Sequence, residues 1–369
     1  LLVGGGIAGL ASAIALCRSG WQCTILEQQL EKRRHGQGML LPPAGRLALE
    51  SLAGAPLCRF SAPIDSFELC SRDGFLRRRF PISGSLSLLH RDLLGLLQQA
   101  LPGAVEVREE ACSGLELGEQ GTYRVVGSTG QRWEADLIVA ADGIRSLCRA
   151  SLFPEARLTP ELVMELVLVV RDGSLAEGLQ RRCRKFHDPA EGLALGLVPC
   201  RDGQVVLYTQ LASQRHPLPA PDRVQAFLWE RFGHWNPELG DLLRNLDCSN
   251  AHLWRTADLD PLPRLHGRNL VLVGDSAHPM LPFTSQGAAT ALQDAQALAA
   301  ALADHPNSRG GLEQALADYS ATRLPQLRPL LLEGRALRRR FLDPEATTAA
   351  LAVPLAGLGA ATTAGSTER

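Results

Sequence analysis

With 369 residues, 45% of them apolar and 21% charged, the chain has a globular composition and room for two domains. Lys+Arg 38 against Asp+Glu 39 leaves a formal net charge of -1, which excludes the basic excess of a nucleic-acid coat or polyanion binder. No run of about 18 apolar residues suggests a membrane span. The nine cysteines, an odd number without a Cys-x-x-Cys pair, disfavour zinc or a disulfide framework, so no metal is expected and reduced thiols in a cytosol are favoured.

Leu1-Leu2-Val3 reads as a first strand whose beginning is missing, since strands commonly run about five or six residues. It passes straight into a glycine loop, with no secretory signal in between. Gly4-x-Gly6-x-x-Gly9 then opens a helix, with Ala8 in its first turn, that runs to about Leu16 and is stopped by Gly20. Residues 22–27 read as the second parallel strand of a βαβ unit, ending on Glu27. The spacing is that of a dinucleotide fingerprint. The first glycine makes the turn, the second admits a pyrophosphate, and the third lets helix pack on strand. The phosphate meets the free N–H groups of a helix N-terminus. Glu27, about 20 residues on, suits the two hydroxyls of an adenosine ribose and repels a ribose phosphate, so the loop predicts FAD or NAD rather than bound NADP.

Further on, residues 60–90 carry a weak strand signal before His90-Arg91-Asp92-Leu93, a helix start. Residues 135–141 form an apolar strand ending in Asp142-Gly143. Residues 151–260 alternate as antiparallel strands do, with a hairpin hinged at Arg201-Asp202-Gly203. Residues 269–273 give another buried strand, ending in Gly274-Asp275, followed by an Ala-rich helix over about 287–302. Residues 312–342 read as helical, broken near Pro325 and Pro329, and a Gly/Ala/Thr/Ser tail from about 358 predicts disorder. The fold class is therefore α/β. A discontinuous Rossmann-like domain (1–150 and 260–310) carries a strand-rich insertion near 60–90. An antiparallel-sheet substrate domain (151–260), a helical segment (311–357) and a tail (358–369) complete the chain.

Together, Gly4-x-Gly6-x-x-Gly9, Ala141-Asp142-Gly143-Ile144-Arg145-Ser146-Leu147-Cys148-Arg149 and Gly274-Asp275-Ser276-Ala277-His278-Pro279 resemble the three signatures of the p-hydroxybenzoate-hydroxylase-like, or class A, flavoprotein monooxygenases. The resemblance implies FAD as cofactor and NADPH or NADH as a transient electron donor. Oxygen would add at the flavin C4a, and the resulting hydroperoxyflavin would transfer one oxygen atom of O2 to an aromatic or similar electron-rich ring. It implies that Asp275 accepts from the ribityl hydroxyls, and that Asp142, Gly143, Ser146 and Arg149 shape the FAD site and touch the donor. Gly274, Pro282, Gln286, Gly287 and Ala288 would line the flavin, with Pro282 beside the reacting centre. Arg91 matches an arginine that contacts FAD. Each has a plainer reading: Asp275 and Asp142 as helix caps, Arg91 as an exposed helix-start arginine. The N-terminus of the helix after Gln286 would stabilise charge on the reduced flavin.

Relatives often carry two glycines before Gln286-Gly287, where this chain has Thr284 and Ser285, so a positive φ there would be costly or the loop differently shaped. At the position after Pro43, Ala44 stands where relatives often have Asn-Ala. Tyr208 and His187 are candidate bases for a phenolic substrate on polarity alone, with strand packing as the alternative. His278 reads as structural. The five tryptophans include no Trp-x-Trp pair, which disfavours a halogenase of this fold. The basic, apolar stretch 330–342 fits either contact with a membrane or partner, or a solvated helix face. Two other functions stay open: an epoxidase or reductase of the same fold acting on an isoprenoid-like substrate, and a flavin-binding protein without turnover.

Overall fold

A computed structural model describes residues 1–29, 38–118, 121–305 and 308–345. The predicted tail from 358 and the end of the 311–357 segment lie outside the described residues. In chain order the first part gives β1 (Leu2–Val3), α1 (Ile7–Arg18), β2 (Thr24–Glu27), β3 (Gly38–Leu41), α2 (Pro43–Ala53), β4 (Ser61–Ser71), β5 (Leu76–Leu89), α3 (His90–Ala100) and β6 (Glu106–Glu109). A small antiparallel sheet of β7 (Cys112–Leu117), β8 (Tyr123–Gly127) and β9 (Arg132–Trp133) precedes β10 (Ile138–Ala140) and α4 (Leu147–Leu152). Then come β11 (Val163–Arg171), α5 (Gly173–Leu179), β12 (Arg182–Asp188), β13 (Leu193–Pro199), β14 (Gln204–Ala212), α6 (Val224–Phe232), α7 (Pro237–Arg244) and β15 (His252–Thr256). The last elements are β16 (His266–Gly267), β17 (Leu270–Leu272), α8 (Gly287–Ala303) and α9 (Arg309–Leu342).

Among the described residues a six-stranded sheet runs β16-β17-β10-β1-β2-β6. Its three central strands are short, wholly apolar and buried, as a parallel sheet covered on both faces requires. Their register aligns the ends. Val3 pairs with Ala140 and Ala140 with Leu272, so Gly4, Ala141 and Val273 leave the sheet at one level. That common edge is the crevice where α/β sheets bind ligands. α1 packs against it with Ala8 through Leu16 all buried, which is why the helix is apolar all round rather than striped.

The second sheet has eight strands in the order β15-β11-β14-β13-β12-β4-β5-β3, antiparallel except for the β12–β4 pair. The β13–β14 hairpin turns at Asp202 and Gly203, with φ of 55° and 68°; positive values at both central residues match the right-handed twist of the flanking strands. One face of this sheet packs on α6 and α7 through Leu166, Leu168, Leu195 and Leu207 against Phe227, Phe232 and Leu239. The other face carries Glu165, Val167, Lys185, Val198, Val206, Tyr208 and Gln210 and looks toward the parallel sheet. The sheet also curls. Four strands separate β3 from β14 in the hydrogen-bonded order, yet a Cβ on Gly38 would stand 2.0 Å from Val206 Cγ2.

The predicted break at Pro325 and Pro329 does not occur: α9 is one helix from Arg309 to Leu342 with both prolines inside it. Both prolines are exposed, so the carbonyls they leave without a partner face solvent. The opposite face, Tyr319, Arg323, Leu327, Leu331, Leu337 and Phe341, is buried and holds the helix in line. Burial of Leu331, Leu337 and Phe341, and ion pairs from Arg335 and Arg338 to Asp258, use up much of the basic, apolar stretch within the molecule. Among the described residues no helix is long and apolar enough to cross a membrane, and no cluster of side chains could hold a metal ion.

Candidate active site

The glycine loop is shaped by close approach. Gly4 has φ of 101°, and a Cβ there would stand 2.3 Å from the Ala141 carbonyl oxygen. A Cβ on Gly9 would stand 1.9 Å from the Gly4 carbonyl oxygen, so only glycine lets α1 sit this near the loop. Gly6 caps α1 with no side-chain partner, leaving the first-turn N–H groups of the helix open toward the cavity that Gly6, Ile7 and Ala8 line. Glu27 closes the other side of the loop. Its Oε2 accepts from Gly5 N–H at 2.6 Å and its Oε1 from Gln29 N–H at 3.0 Å.

The two later strand ends arrive beside it. Gly274 has φ of 58° and presses on Ala8, with a Cβ there only 2.7 Å from the Ala8 Cβ. Asp275 follows with its carboxyl open to the cavity yet walled round by protein. That burial raises its pKa above the ordinary carboxylate value, against the opposing pull of His278 and Arg149. Asp142 caps α4 in part: Oδ2 accepts from Cys148 N–H at 3.1 Å, while Oδ1 is buried without a partner among the described residues. Ser146 is the N-cap of α4 and accepts from Arg149 N–H at 2.8 Å. The guanidinium of Arg149 is buried and donates to the carbonyls of Ile144, Asp275 and Ser276, tying the Asp142 loop to the Asp275 turn.

After a 3-10 turn at Pro282–Thr284, Ser285 takes a left-handed conformation with φ of 52°, and α8 begins with no side-chain cap hydrogen bond. The positive φ falls on the serine, and Thr284 stays in a right-handed turn, so the β-branched residue is spared. Pro282, Ser285, Gln286, Gly287 and Ala288 line the same cavity as Gly6, Ala8, Gly143 and Asp275. His278 lies just behind. Its Nε2 meets Asp294 Oδ2 at 2.6 Å, Asp294 also accepts from Gly274 N–H at 2.8 Å, and Arg323 donates to Asp294 Oδ1 at 2.7 Å. Burial opposes ionisation of Asp294, but His278 and Arg323 outweigh it and hold its pKa below the ordinary range.

The cavity, about 390 Å³, continues from this rim to the inner face of the antiparallel sheet. Phe67, Phe80, Val167, Val198, Phe283 and Phe341 give it apolar walls, the last reaching in from the end of α9. Tyr208 also lines it; its ring lies over Gly196, where a Cβ would be 2.1 Å from ring atoms, and burial keeps its phenol protonated well beyond the usual range. His187 is near but behind. It is buried against Phe341 at 5.5 Å between ring centroids, neither ring nitrogen has a partner among the described residues, and burial together with Lys185 lowers its pKa to about 3. Arg91 lies outside the lining, bound to Gln204 and Asp92, and it is the preceding His90 that lines the cavity. Gly4, Gly9, Glu27, Asp142 and Gly274 shape the rim without lining the cavity.

Sequence reasoning passed over Asp294, Arg323, Glu165, Lys185 and Gln210. A single acid in an Ala-rich helix and charged residues inside alternating apolar strands were the available signals. Lys185 Nζ donates to Gln210 Oε1 at 2.5 Å, and Gln210 Nε2 donates to Glu165 Oε1 at 2.8 Å. Burial raises the Glu165 pKa to about 7 and lowers that of Lys185 to about 8.

This donor set fits a dinucleotide with a flavin: two uncapped helix N-termini face one cavity, an acid stands open beside them, and Gly6, Gly143 and Gly287 add no side chain to its lining. The sequence profile of the FAD binding domain family matches residues 96–331. The chain belongs to that family. It is an FAD-dependent monooxygenase of the class A, p-hydroxybenzoate-hydroxylase-like type. Its relatives include the FAD-dependent monooxygenase OpS4 of Beauveria bassiana (strain ARSEF 2860), 29% identical over 368 residues that cover 92% of this chain and 84% of that protein. The 3-amino-4-hydroxybenzoate 2-monooxygenase of Streptomyces cremeus is 28% identical over 93% of this chain and 88% of its own length. The crystal structure of Klebsiella pneumoniae HpxO complexed with FAD and uric acid shares the fold, with a TM-score of 0.83 and 22% identity over 93% of this chain and 89% of that one.

Proposed function

We propose that this enzyme uses reduced nicotinamide and O2 to place one oxygen atom on a small, electron-rich aromatic ring. One observation carries the reading: a single cavity runs from the flavin cradle at the strand ends to the apolar inner face of the antiparallel sheet. When bound, FAD accepts a hydride from the nicotinamide and activates O2, one atom going to the ring and the other leaving as water.

The chain's own residues bind, orient and exclude water. The N-terminus of α1, with Gly6 and Ala8, would take the pyrophosphate, Glu27 the adenosine ribose, and Asp275 the ribityl hydroxyls. Pro282 and the Gln286–Ala288 backbone would hold the pyrimidine edge of the ring system, where the positive end of α8 favours added negative charge. Phe67, Val167, Phe283 and Phe341 form walls that keep water from the reacting centre. Tyr208, protonated throughout the physiological range, can donate its hydrogen bond to a ring oxygen and hold the ring in place.

The test is to purify the chain with FAD and to follow NADH and NADPH oxidation, O2 uptake and product mass over a panel of hydroxy- and aminobenzoates. The reading predicts substrate-stimulated oxidation and a product heavier by one oxygen. Tightly held FAD with oxidation that no aromatic ring stimulates would refute it.

A further inference from the structure

The floor of the cavity holds a half-buried cation, walled round by protein, that the flavin cradle does not use. Lys185 projects from β12 into the cavity, and its one hydrogen-bond partner among the described residues is the neutral amide of Gln210. No described carboxylate stands within ion-pair distance of its ammonium. Glu165 is reached only through Gln210. The ammonium nitrogen also stands over the rings of Phe283 and Phe341, whose centroids lie 5.7 and 5.8 Å away. Aromatic faces offset part of the cost of such a charge, but an enclosed ammonium without a direct counter-ion is expensive.

Register places a second donor beside it. Val167, Tyr208, Gly196 and Lys185 stand in one row across β11, β14, β13 and β12. Gly196 supplies no side chain, and the Tyr208 hydroxyl lies over it, on the strand next to Lys185. The Lys185 ammonium and the Tyr208 phenol thus line the same cavity as two donors facing one space.

We propose that Lys185 anchors an anionic oxygen, carboxylate or phenolate, of the ring that enters this cavity, with Tyr208 as the second donor and Gln210 and Glu165 as positioning residues. The proposal rests on the reading of the cavity as the substrate chamber. It selects acidic rings and disfavours an isoprenoid or other neutral apolar substrate.

The groups facing Lys185 fix the expected pH dependence. On its own strand Cys183 stays a thiol and His187 stays neutral, and on β14 Tyr208 stays a phenol. The 3-10 turn and α9 present Phe283, Leu337 and Phe341, while Arg338 next in sequence turns to Asp258. Burial brings Glu165 up to about 7 and Lys185 down to about 8, so both titrate near neutral pH. Below pH about 7 the pair is a cation beside a neutral acid. As pH rises, Glu165 ionises and then Lys185 loses its proton. Anion affinity should therefore be highest below pH 7 and fall toward pH 9, and binding between these values should take up protons.

The experiment titrates the FAD-loaded full chain with 3-hydroxybenzoate and its neutral counterpart 3-hydroxybenzamide, and in a second arm with 2,4-dinitrophenol, a phenolate at the pH used, and 2,4-dinitroanisole, following the flavin absorbance. A charge-assisted hydrogen bond predicts a preference of about 10-fold to 100-fold for the charged member of one pair at pH 6.5. Lys185→Met should abolish that preference and flatten the pH profile while changing affinity for the neutral member by no more than about twofold, and Lys185→Arg should restore part of it. Retained FAD reports that each variant is folded. The acid–amide ratio and pH profile of the unaltered chain decide the matter even if Lys185→Met loses FAD. Equal affinity for both members of both pairs, or a preference that survives Lys185→Met, overturns the proposal. Failure to turn over any ring would refute the monooxygenase reading, whereas turnover of rings without charge preference would refute this one alone.

Discussion

At the scale of single residues, the proposed cofactor site rests on a few backbone positions and one open carboxylate. Asp275 is placed at the end of β17 by a left-handed Gly274 that only a glycine could provide so close to Ala8. Asp275→Ala should weaken FAD binding by about 10-fold or more, the loss expected for hydrogen bonds to a charged acceptor; fluorescence titration of the apoprotein would measure it. Unchanged affinity would remove Asp275 from the site. Ser285 is a non-glycine residue held at φ of 52°, a conformation that costs L-residues about 1–2 kcal/mol. Ser285→Gly should recover part of that cost, offset by the greater freedom of glycine in the unfolded chain, for a net gain of up to about 1 kcal/mol in urea unfolding. The strain was legible in outline, because Thr284-Ser285 stood out in the sequence. Which of the two carries it depends on the 3-10 turn that precedes them.

At the scale of elements, Asp294 joins three pieces of chain: α8, on which it sits, the Gly274 turn through a backbone N–H, and α9 through Arg323. Asp294→Ala would leave Arg323, the Gly274 N–H and His278 without their shared partner. Breaking a buried pair in this way costs about 3–5 kcal/mol, so thermal unfolding should shift strongly downward and FAD retention should fall with it. The depressed pKa of Asp294 also sets a sign. Its contribution to stability is present above the ordinary carboxylate pKa of about 3.8 and is lost as pH falls below it. The glycine loop, the Asp142-Gly143 turn and the Gly274-Asp275 turn were readable because each is a local strand-to-helix signal. The ion network was not, since Asp294 and Arg323 are 29 residues apart and meet only when α9 folds back on α8. The continuity of α9 through Pro325 and Pro329 was misread for a related reason: what permits it is solvent on one face and a buried row on the other, and periodicity alone did not reveal how firmly that row is packed.

At the scale of the whole molecule, two sheets of different construction share one cavity, and Glu165 and Lys185, linked through Gln210, line it. Glu165 has a folded pKa of about 7 against an ordinary 4.5. The folded chain therefore binds more protons through that window, and stability declines as pH rises across it. Glu165→Gln removes the term, so the stability of the variant relative to the unaltered chain should rise between pH 5 and pH 8; parallel urea titrations at the two values would show it, and a constant difference would contradict it. The fold class was legible because buried parallel strands and alternating antiparallel ones have different textures. The meeting of Lys185, Gln210 and Glu165 was not, because it is made by the register of β11, β14, β13 and β12, which sequence spacing does not encode. That register has one more consequence. The flavin cradle is assembled from the tips of parallel strands, whereas the floor beneath the ring is set by side chains lying abreast on antiparallel ones. On the proposed reading, exchanges along one such crosswise rank, from Val167 to Lys185, would retune which molecules are accepted while leaving the strand tips that hold the coenzyme untouched.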